Sequence, residues 1–328
     1  MEYRVLGKTG LKVSALSFGA SSLGSVFRAV DEAEGIRTVH VALDQGINLI
    51  DVSPYYGLTR AETVLGKALK GKRDRVFLAT KCGRDNFQFS DFSAKRVTAS
   101  IDESLKRLQT DHVDVLQIHD VEFGEARQII EETLPAARKV QQSGKARFIG
   151  ITGLPVRYLR RLAEQIEIDT ILTWGHYNLV EDEMDEELTP LCRERGIGLI
   201  NASPLHQRLL TEKGPPEWHR SPPPVLEMAR KLAALCRSCG VDVADVAMKY
   251  CLDHPCVATT IVGMSKVRHV EANLKALDFT IPEGLMPVIE SLVAPVKNMM
   301  WFEGQPENNI PPRDPNRWAP QMPDHTHA

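Results

Sequence analysis

The stretch NLIDVSPYYG, residues 48–57, decides which fold and which chemistry we expect of this chain. Its apolar start is typical of a short buried strand, and that strand ends in the carboxylate of Asp51. Tyr56 follows after a short turn that contains Pro54. A strand that ends in an acid, followed by a turn that returns a phenol, can place acid/base chemistry at one end of a sheet.

Two later stretches end in the same way. VFLATK, residues 76–81, is an apolar run that ends in a lysine, and VDVLQIH, residues 113–119, ends in a histidine. Three consecutive candidate strands therefore carry four ionisable groups at or just after their carboxyl ends: Asp51, Tyr56, Lys81 and His119.

Strands and helices alternate along most of the chain. We predict strands at residues 13–18, 49–51, 76–80, 113–118, 147–151, 170–174, 198–202 and 259–262. We predict helices from Asp31 to a stop at Gly46, and at residues 60–69, 93–108, 125–142, 155–165, 182–195, 224–239, 242–253 and 266–277.

This alternation predicts an α/β fold. Short, continuously apolar strands that alternate with helices indicate a parallel sheet covered on its outer face. Eight such units in about 260 residues match a closed (β/α)8 TIM barrel. An open doubly wound sheet is the alternative, but it usually carries G-x-G-x-x-G after its first strand, and FGASSLG at residues 18–24 has a different spacing.

The two ends of the chain add to this core. Alternation around two glycines over residues 3–13 predicts a hairpin with its turn near residues 8–10. We expect one barrel domain over residues 1–328, with extra C-terminal helices. The tail at 295–328 is rich in proline, asparagine and tryptophan, and we expect it to be docked or partly disordered.

Composition excludes several classes of protein. The net charge is −3, with 40 basic and 43 acidic residues interspersed, so we expect no nucleic-acid partner. No apolar run approaches about 18 residues and no secretory signal is visible, which predicts no membrane partner and a cytoplasmic location. We interpret the single Cys236-x-x-Cys239 pair as reduced structural thiols instead of a zinc or redox site. A monomer and a homodimer both stay open.

The four ionisable groups suit one tuned proton transfer. A phenol has an ordinary pKa of about 10, and an ammonium about 4 Å away would stabilise the phenolate by about 4 kcal/mol, or about three pKa units. A carboxylate keeps such a lysine charged, and a histidine can align a substrate oxygen or pass a proton on. Each group alone could be structural, but four at consecutive strand ends favour a catalytic site that needs no metal.

In this combination, Asp51, Tyr56, Lys81 and His119 resemble the catalytic tetrad of the aldo-keto reductases. The similarity extends along nearly the whole chain, with supporting stretches at residues 6–14, 19–27, 99–108, 143–155, 214–219 and 295–298. It implies a barrel closed at its base by the N-terminal hairpin and a nicotinamide cofactor extended across the barrel mouth. It also implies oxidation of the C1 hydroxyl of an aldose such as L-galactose to a lactone, with Tyr56 as the general base tuned by Lys81 and Asp51.

The resemblance further implies a cofactor site. Its residues would be Ser21, Asp51, Thr152, Trp174, Ser203, Leu205, Gly263, Ser265, His269 and Asn273. Family members that select NADP often carry a lysine and an arginine where this chain has Gly263 and His269, which predicts NAD. NADP is the alternative, because Lys266 and Arg268 lie close by in sequence. Thr152, Trp174, Ala202 and Arg208 depart from the family pattern.

For the sugar, the resemblance implies contacts from Tyr55, Tyr56, His119 and Trp174. Phe87, Trp218 and Trp301 are further candidates for the pocket wall, although both tryptophans could instead anchor loops on the outside. Two other functions stay open: an NADPH-dependent reductase of small aldehydes or ketones, and a cofactor-sensing regulatory subunit.

Overall fold

Eight parallel strands close into a barrel in the computed structural model, which describes residues 1–26, 29–86 and 89–311. An N-terminal hairpin precedes them, formed by β1 (Tyr3–Val5) and β2 (Lys12–Ser14). The barrel strands are β3 (Leu16–Gly19), β4 (Leu49–Asp51), β5 (Phe77–Cys82), β6 (Val113–Ile118), β7 (Ala146–Gly153), β8 (Thr170–Trp174), β9 (Gly198–Ala202) and β10 (Thr259–Gly263). Each strand pairs with the next in sequence, and β10 pairs with β3, so the predicted barrel is confirmed.

Helices cover the outside of the barrel. They are α1 (Glu32–Asp44), α2 (Arg60–Leu69), α3 (Ala94–Leu108), α4 (Ala126–Gln128), α5 (Leu134–Gln142), α6 (Val156–Ala163), α7 (Glu183–Glu187), α8 (Thr189–Arg195), α9 (Pro223–Ser238), α10 (Val243–Leu252), α11 (Val267–Asp278) and α12 (Leu285–Val293). Within the described residues, no helix is long and apolar enough to cross a bilayer.

The hairpin closes the base of the barrel, as expected. Leu6, Leu11 and Val13 join a buried cluster with strand residues that point into the barrel. A Cβ on Gly198 would stand 2.7 Å from the Leu6 side chain, and a Cβ on Gly7 would stand 2.3 Å from the Gly198 nitrogen. The turn can therefore reach the first residue of β9 only because both positions are glycine.

Two predicted elements are divided in the structure, and a third is continuous but irregular. Residues 13–18 do not form one strand, because the Ser14 hydroxyl donates to the Leu16 carbonyl at 2.7 Å and turns the chain between β2 and β3. The helix predicted at 182–195 breaks at Leu188, and Pro190 follows in the first turn of α8. The helix predicted at 125–142 is continuous but contains a π-helical turn at Ile129–Thr133 ahead of Pro135.

The described part of the C-terminal tail packs beside the barrel mouth. The backbone N–H of Gln305 donates to the Glu122 carbonyl at 2.8 Å, and the Asn308 amide donates to the carbonyls of Glu122 and Gly124 at 2.9 Å. These contacts place residues 301–309 against the loop after β6, which also carries His119. The remainder of the predicted tail, 312–328, lies outside the described residues.

Candidate active site

The first three ionisable side chains meet at the carboxyl end of β4 and β5. The Lys81 Nζ donates to the Asp51 carboxylate, to the Val52 carbonyl at 3.0 Å and to the Tyr56 hydroxyl at 3.2 Å. Lys81 is 1% exposed and Asp51 is 4% exposed, whereas Tyr56 is half-buried. A buried ion pair therefore supports a phenol that keeps access to the mouth.

Local backbone geometry fixes the position of Tyr56. The Tyr56 N–H donates to the Ser53 carbonyl at 3.1 Å, which closes a tight turn after β4. Gly57 follows at a φ of 63°, and a Cβ there would stand 2.0 Å from the carbonyl oxygen of Gly24. The Tyr-Gly pair is therefore held against the loop after β3, and only a glycine permits this approach.

Gln117 is a neighbour of the tetrad that sequence reasoning missed. It lies opposite Lys81 in the register of β5 and β6, and its amide donates to the second oxygen of Asp51 at 2.8 Å. Lys81 and Gln117 together fix both oxygens of Asp51. A polar residue within the apolar strand VDVLQI was the signal in the sequence that could have identified it.

His119 is placed by Ser53. The Ser53 hydroxyl lies 3.1 Å from the His119 Nδ1 and accepts the Tyr55 N–H, also at 3.1 Å. The imidazole stands edge-on to both tyrosine rings, at centroid distances of 5.6 Å to Tyr55 and 5.9 Å to Tyr56. The structure therefore brings all four predicted catalytic side chains to one mouth.

Burial dominates the acid/base properties of this cluster. Burial raises the pKa of Tyr56 to about 12, although Lys81 acts in the opposite direction, so the expectation of a net lowered phenol pKa is wrong for the protein alone. Burial lowers the pKa of His119 to about 3, and the imidazole is neutral at pH 7. Burial also opposes the charge on Lys81, but Asp51 and Tyr56 outweigh it and raise the pKa of that lysine.

A second buried ion pair lies beside His119. Arg84 donates to Asp120 at 2.5 Å, and its guanidinium is held between the rings of Tyr55 and Phe123, at 4.6 Å and 3.7 Å from their centroids. A desolvated cation over an aromatic ring is stabilised by about 2 kcal/mol, so both rings favour this position of the guanidinium. Neither member of the pair was predicted as a site residue, since their sequence context carries no distinguishing pattern.

Two of the predicted aromatic wall residues pack against each other at the end of β8. Trp174, at the end of β8, lies 6.1 Å from Trp301 between ring centroids, and the Trp301 indole donates to Glu303 at 3.1 Å. Trp218 is 52% exposed, which fits the alternative of a loop anchor better than a pocket wall. Phe87 lies outside the described residues.

Two loops border the predicted phosphate-binding region. Ser203 and Leu205, after β9, are half-buried, and Ser203 and Arg208 adopt φ values of 61° and 78°. Non-glycine residues rarely adopt this conformation, and it recurs at ligand sites. Arg208 occupies a position where the family usually has glycine. Its positive φ is a backbone conformation that glycine adopts more easily.

The segment after β10 is open in the way a dinucleotide needs. Gly263 is exposed, and among the described residues a Cβ there would meet the Ser21 hydroxyl alone, at 3.8 Å. Ser265 contacts the His269 ring at 3.3 Å, and Asn273 is half-buried on the helix that follows. An accessible backbone ahead of the start of α11 suits an anionic phosphate. The residues at these positions therefore fit the cofactor.

Thr152 is placed differently from the other predicted cofactor residues. It is 1% exposed, and its hydroxyl accepts the Asp120 N–H at 3.0 Å. The Thr152 hydroxyl therefore helps to hold Asp120 in its ion pair with Arg84.

Comparisons with known proteins agree with this geometry. The aldo/keto reductase family profile matches residues 15–294. The chain is 45% identical to L-galactose dehydrogenase from Arabidopsis thaliana, over 94% of this chain and 99% of that protein. It is 30% identical to D-threo-aldose 1-dehydrogenase from a Pseudomonas species, over 84% and 93% of the two chains. A solved aldo-keto reductase from Bacillus halodurans, in its holo form, superposes with a TM-score of 0.78 at 27% identity and covers 94% of this chain and all of that one.

Proposed function

This chain belongs to the aldo/keto reductase family, and we propose that it is an NAD-dependent dehydrogenase that oxidises the C1 hydroxyl of an aldose, such as L-galactose, to the lactone. The observation that carries this proposal is the contact of 3.2 Å between the Lys81 Nζ and the Tyr56 hydroxyl at an accessible barrel mouth. The likeness to L-galactose dehydrogenase and to D-threo-aldose 1-dehydrogenase, along most of the chain, supports an aldose as the substrate, and the name of the second relative supports C1 as the reacting position.

Tyr56 is the residue that exchanges a proton with the substrate. A bound nicotinamide supplies the acceptor for the hydride that leaves C1. As the hydride leaves, the C1 hydroxyl becomes acidic and its proton passes to the phenolate oxygen of Tyr56. Lys81 stabilises the phenolate charge, and Asp51 keeps the lysine protonated in a buried setting.

His119 orients the substrate oxygen in this proposal. Its imidazole is neutral at pH 7, so it does not compete with Tyr56 as a proton carrier. Ser53 holds the ring at 3.1 Å and sets its angle to both tyrosines. A neutral imidazole with a fixed orientation can align the C1 oxygen without adding a charge to the mouth.

The sugar would lie between aromatic and polar surfaces. Trp174 and Tyr55 are half-buried and offer apolar surfaces that suit the C–H face of a pyranose, and the buried Trp301 packs against Trp174. Arg84 lies 4.6 Å from the centroid of the Tyr55 ring, and Glu303 accepts the Trp301 indole N–H at 3.1 Å, so charged groups for the sugar hydroxyls lie beside these aromatic residues. We propose these two residues, which sequence reasoning missed, as contributors to sugar selection.

NAD is the proposed cofactor because this chain offers little cationic charge for a 2′-phosphate. Gly263 has no side chain, and the Lys266 Nζ lies 3.9 Å from the Glu34 carboxylate. A lysine next to an acid is less available to a phosphate. We further propose that the protein is cytoplasmic and is a monomer or a homodimer. The six free thiols support the cytoplasmic location, because thiols stay reduced in that compartment.

A panel of L- and D-aldoses with NAD and NADP tests this function, with reduced nicotinamide followed by its absorbance. We expect the highest kcat/KM with NAD and an aldose of L-galactose-like configuration, and a lactone as the product. No turnover of any aldose with either cofactor would refute the proposal. A strong preference for NADP would refute the cofactor assignment alone.

The geometry of the tetrad also accommodates a second candidate, an NADPH-dependent reductase of small aldehydes or ketones. The Lys81 Nζ contacts the Tyr56 hydroxyl at 3.2 Å, and the same phenol can donate its proton to a carbonyl oxygen in the reverse reaction. The same panel distinguishes the two when small aldehydes and ketones are included with NADPH. Faster reduction of a non-sugar carbonyl than oxidation of any aldose would favour the reductase.

A further inference from the structure

A cluster of three buried ligand-type side chains lies outside the tetrad, behind the loop that follows β8. His176, Glu181 and Glu183 each offer one nitrogen or oxygen atom, and these three atoms all lie within 4.8 Å of one another. The side chains are 4%, 0% and 5% exposed. The predicted chemistry and the proposed function use none of them.

Glu181 is the unusual member of this cluster. Both of its carboxylate oxygens are buried, and neither has a hydrogen-bond partner within residues 1–26, 29–86 and 89–311. Burial of a carboxylate without compensation is costly, and native structures rarely leave such a group unsatisfied. The ligand atom of Glu181 is close enough to those of His176 and Glu183 for all three to bind one ion.

Nearby cations are already engaged with other acids. Arg157 donates to one oxygen of Glu183 at 2.5 Å and lies 3.4 Å from Glu187. Lys297 pairs with Asp182 at 3.1 Å. Glu181 has no ion pair within 4.0 Å among the residues that the structure describes.

The geometry of Glu183 suits a metal ligand. Arg157 holds its Oε1, while its Oε2 faces the His176 Nδ1 at 3.3 Å. Two ligands of a tetrahedral zinc ion lie about 3.4 Å apart when each bond is about 2.1 Å, which is close to this distance. An outer partner that fixes a ligating carboxylate is a common feature of metal sites.

Space for a further ligand adjoins the cluster. His176 and Glu183 line a cavity of about 40 Å³ together with Arg157, Met300 and Trp301. A water needs about 10–15 Å³ of such space, so the cavity can hold one as a fourth ligand.

We propose that His176, Glu181 and Glu183 bind a divalent cation of the zinc or manganese type, with a water from the adjoining cavity. One imidazole and two carboxylates form a ligand set that such ions accept. The ion would fix the loop two residues beyond Trp174, next to the docked segment with Trp301. Its role is structural, and it takes no part in the proton transfer at Tyr56.

Metal binding to the chelator-treated full chain tests this proposal. Zn²⁺ is titrated by calorimetry with bound metal measured by mass spectrometry, and Co²⁺ is added to a separate sample to record its visible spectrum. We expect one equivalent per chain, a Co²⁺ spectrum of a four- or five-coordinate nitrogen and oxygen site, and a raised Tm with Zn²⁺. Glu181→Gln keeps the shape of the side chain, and it should weaken binding at least about tenfold.

Matched controls separate this site from adventitious binding. Glu194→Gln changes an exposed acid on α8, and Cys239→Ser removes the exposed thiol of the C-x-x-C pair. Both controls should bind the same single equivalent as the unaltered chain. Equal binding by Glu181→Gln, or loss of binding in Cys239→Ser, would overturn the proposal. His176→Gln provides a second removal of a ligand, and NAD binding checks that each variant is folded.

Discussion

Replacing Lys81 with methionine separates the electrostatic role of the lysine from the rest of the tetrad. The Nζ lies 3.2 Å from the Tyr56 hydroxyl. At that distance and an effective dielectric near 20, a pair of unit charges is worth about 5 kcal/mol, or nearly four pKa units of the phenol. Lys81→Met should therefore lower the rate of aldose oxidation by about 10³–10⁴-fold and move the rise of the pH–rate profile to higher pH.

The stability of the variant needs its own control. Among the described side chains, the substitution leaves the Gln117 amide as the one hydrogen-bond donor to the buried Asp51 carboxylate. An uncompensated buried carboxylate costs about 3–5 kcal/mol. The double variant Lys81→Met with Asp51→Asn should recover most of the lost Tm without recovering the rate. A residual activity with the pH profile of the unaltered enzyme would refute the assignment of Lys81 as the group that tunes Tyr56.

Three further outcomes follow from the fold and the site. Because the pKa of Tyr56 is raised to about 12, the fraction of its phenolate increases with pH. The kcat/KM for oxidation should therefore increase by up to about tenfold per pH unit from neutral to mildly alkaline pH, and a flat profile would contradict this. Gly263→Lys should raise kcat/KM for NADP relative to NAD by about tenfold, since a cation enters open space, whereas Gly263→Ala should not. Gly198→Ala should lower the free energy of unfolding by about 1–3 kcal/mol in denaturant titration, because the new methyl overlaps Leu6.

The fold was predictable because the apolar runs and the helix stops repeat in the sequence. Eight short strands alternate with amphipathic helices, and closure follows from that count. The breaks inside predicted elements were not predictable from hydrophobic pattern alone. The chain turns at Ser14 through a side-chain hydrogen bond. The helix breaks at Leu188, ahead of Pro190, although the apolar pattern of the sequence continues across that break.

The tetrad was predictable for a different reason. Parallel strands bring their carboxyl ends to one mouth, so residues at consecutive strand ends must converge. Gln117, Arg84 and Glu303 were missed, because their positions depend on strand register, on ring stacking and on how the tail docks. The net pKa of Tyr56 was also out of reach, since the cost of burial depends on the surrounding structure and not on the identity of the neighbouring lysine.

Turnover and NAD affinity of Tyr56→Phe, measured on the same preparation, test the central claim most directly. If the phenol oxygen carries the transferred proton and does not contribute to cofactor binding, kcat should fall by about 10³-fold or more. The dissociation constant for NAD, from quenching of tryptophan fluorescence, should stay within about twofold. Turnover within about tenfold of the unaltered enzyme would contradict the role of Tyr56, whatever the affinity for the cofactor.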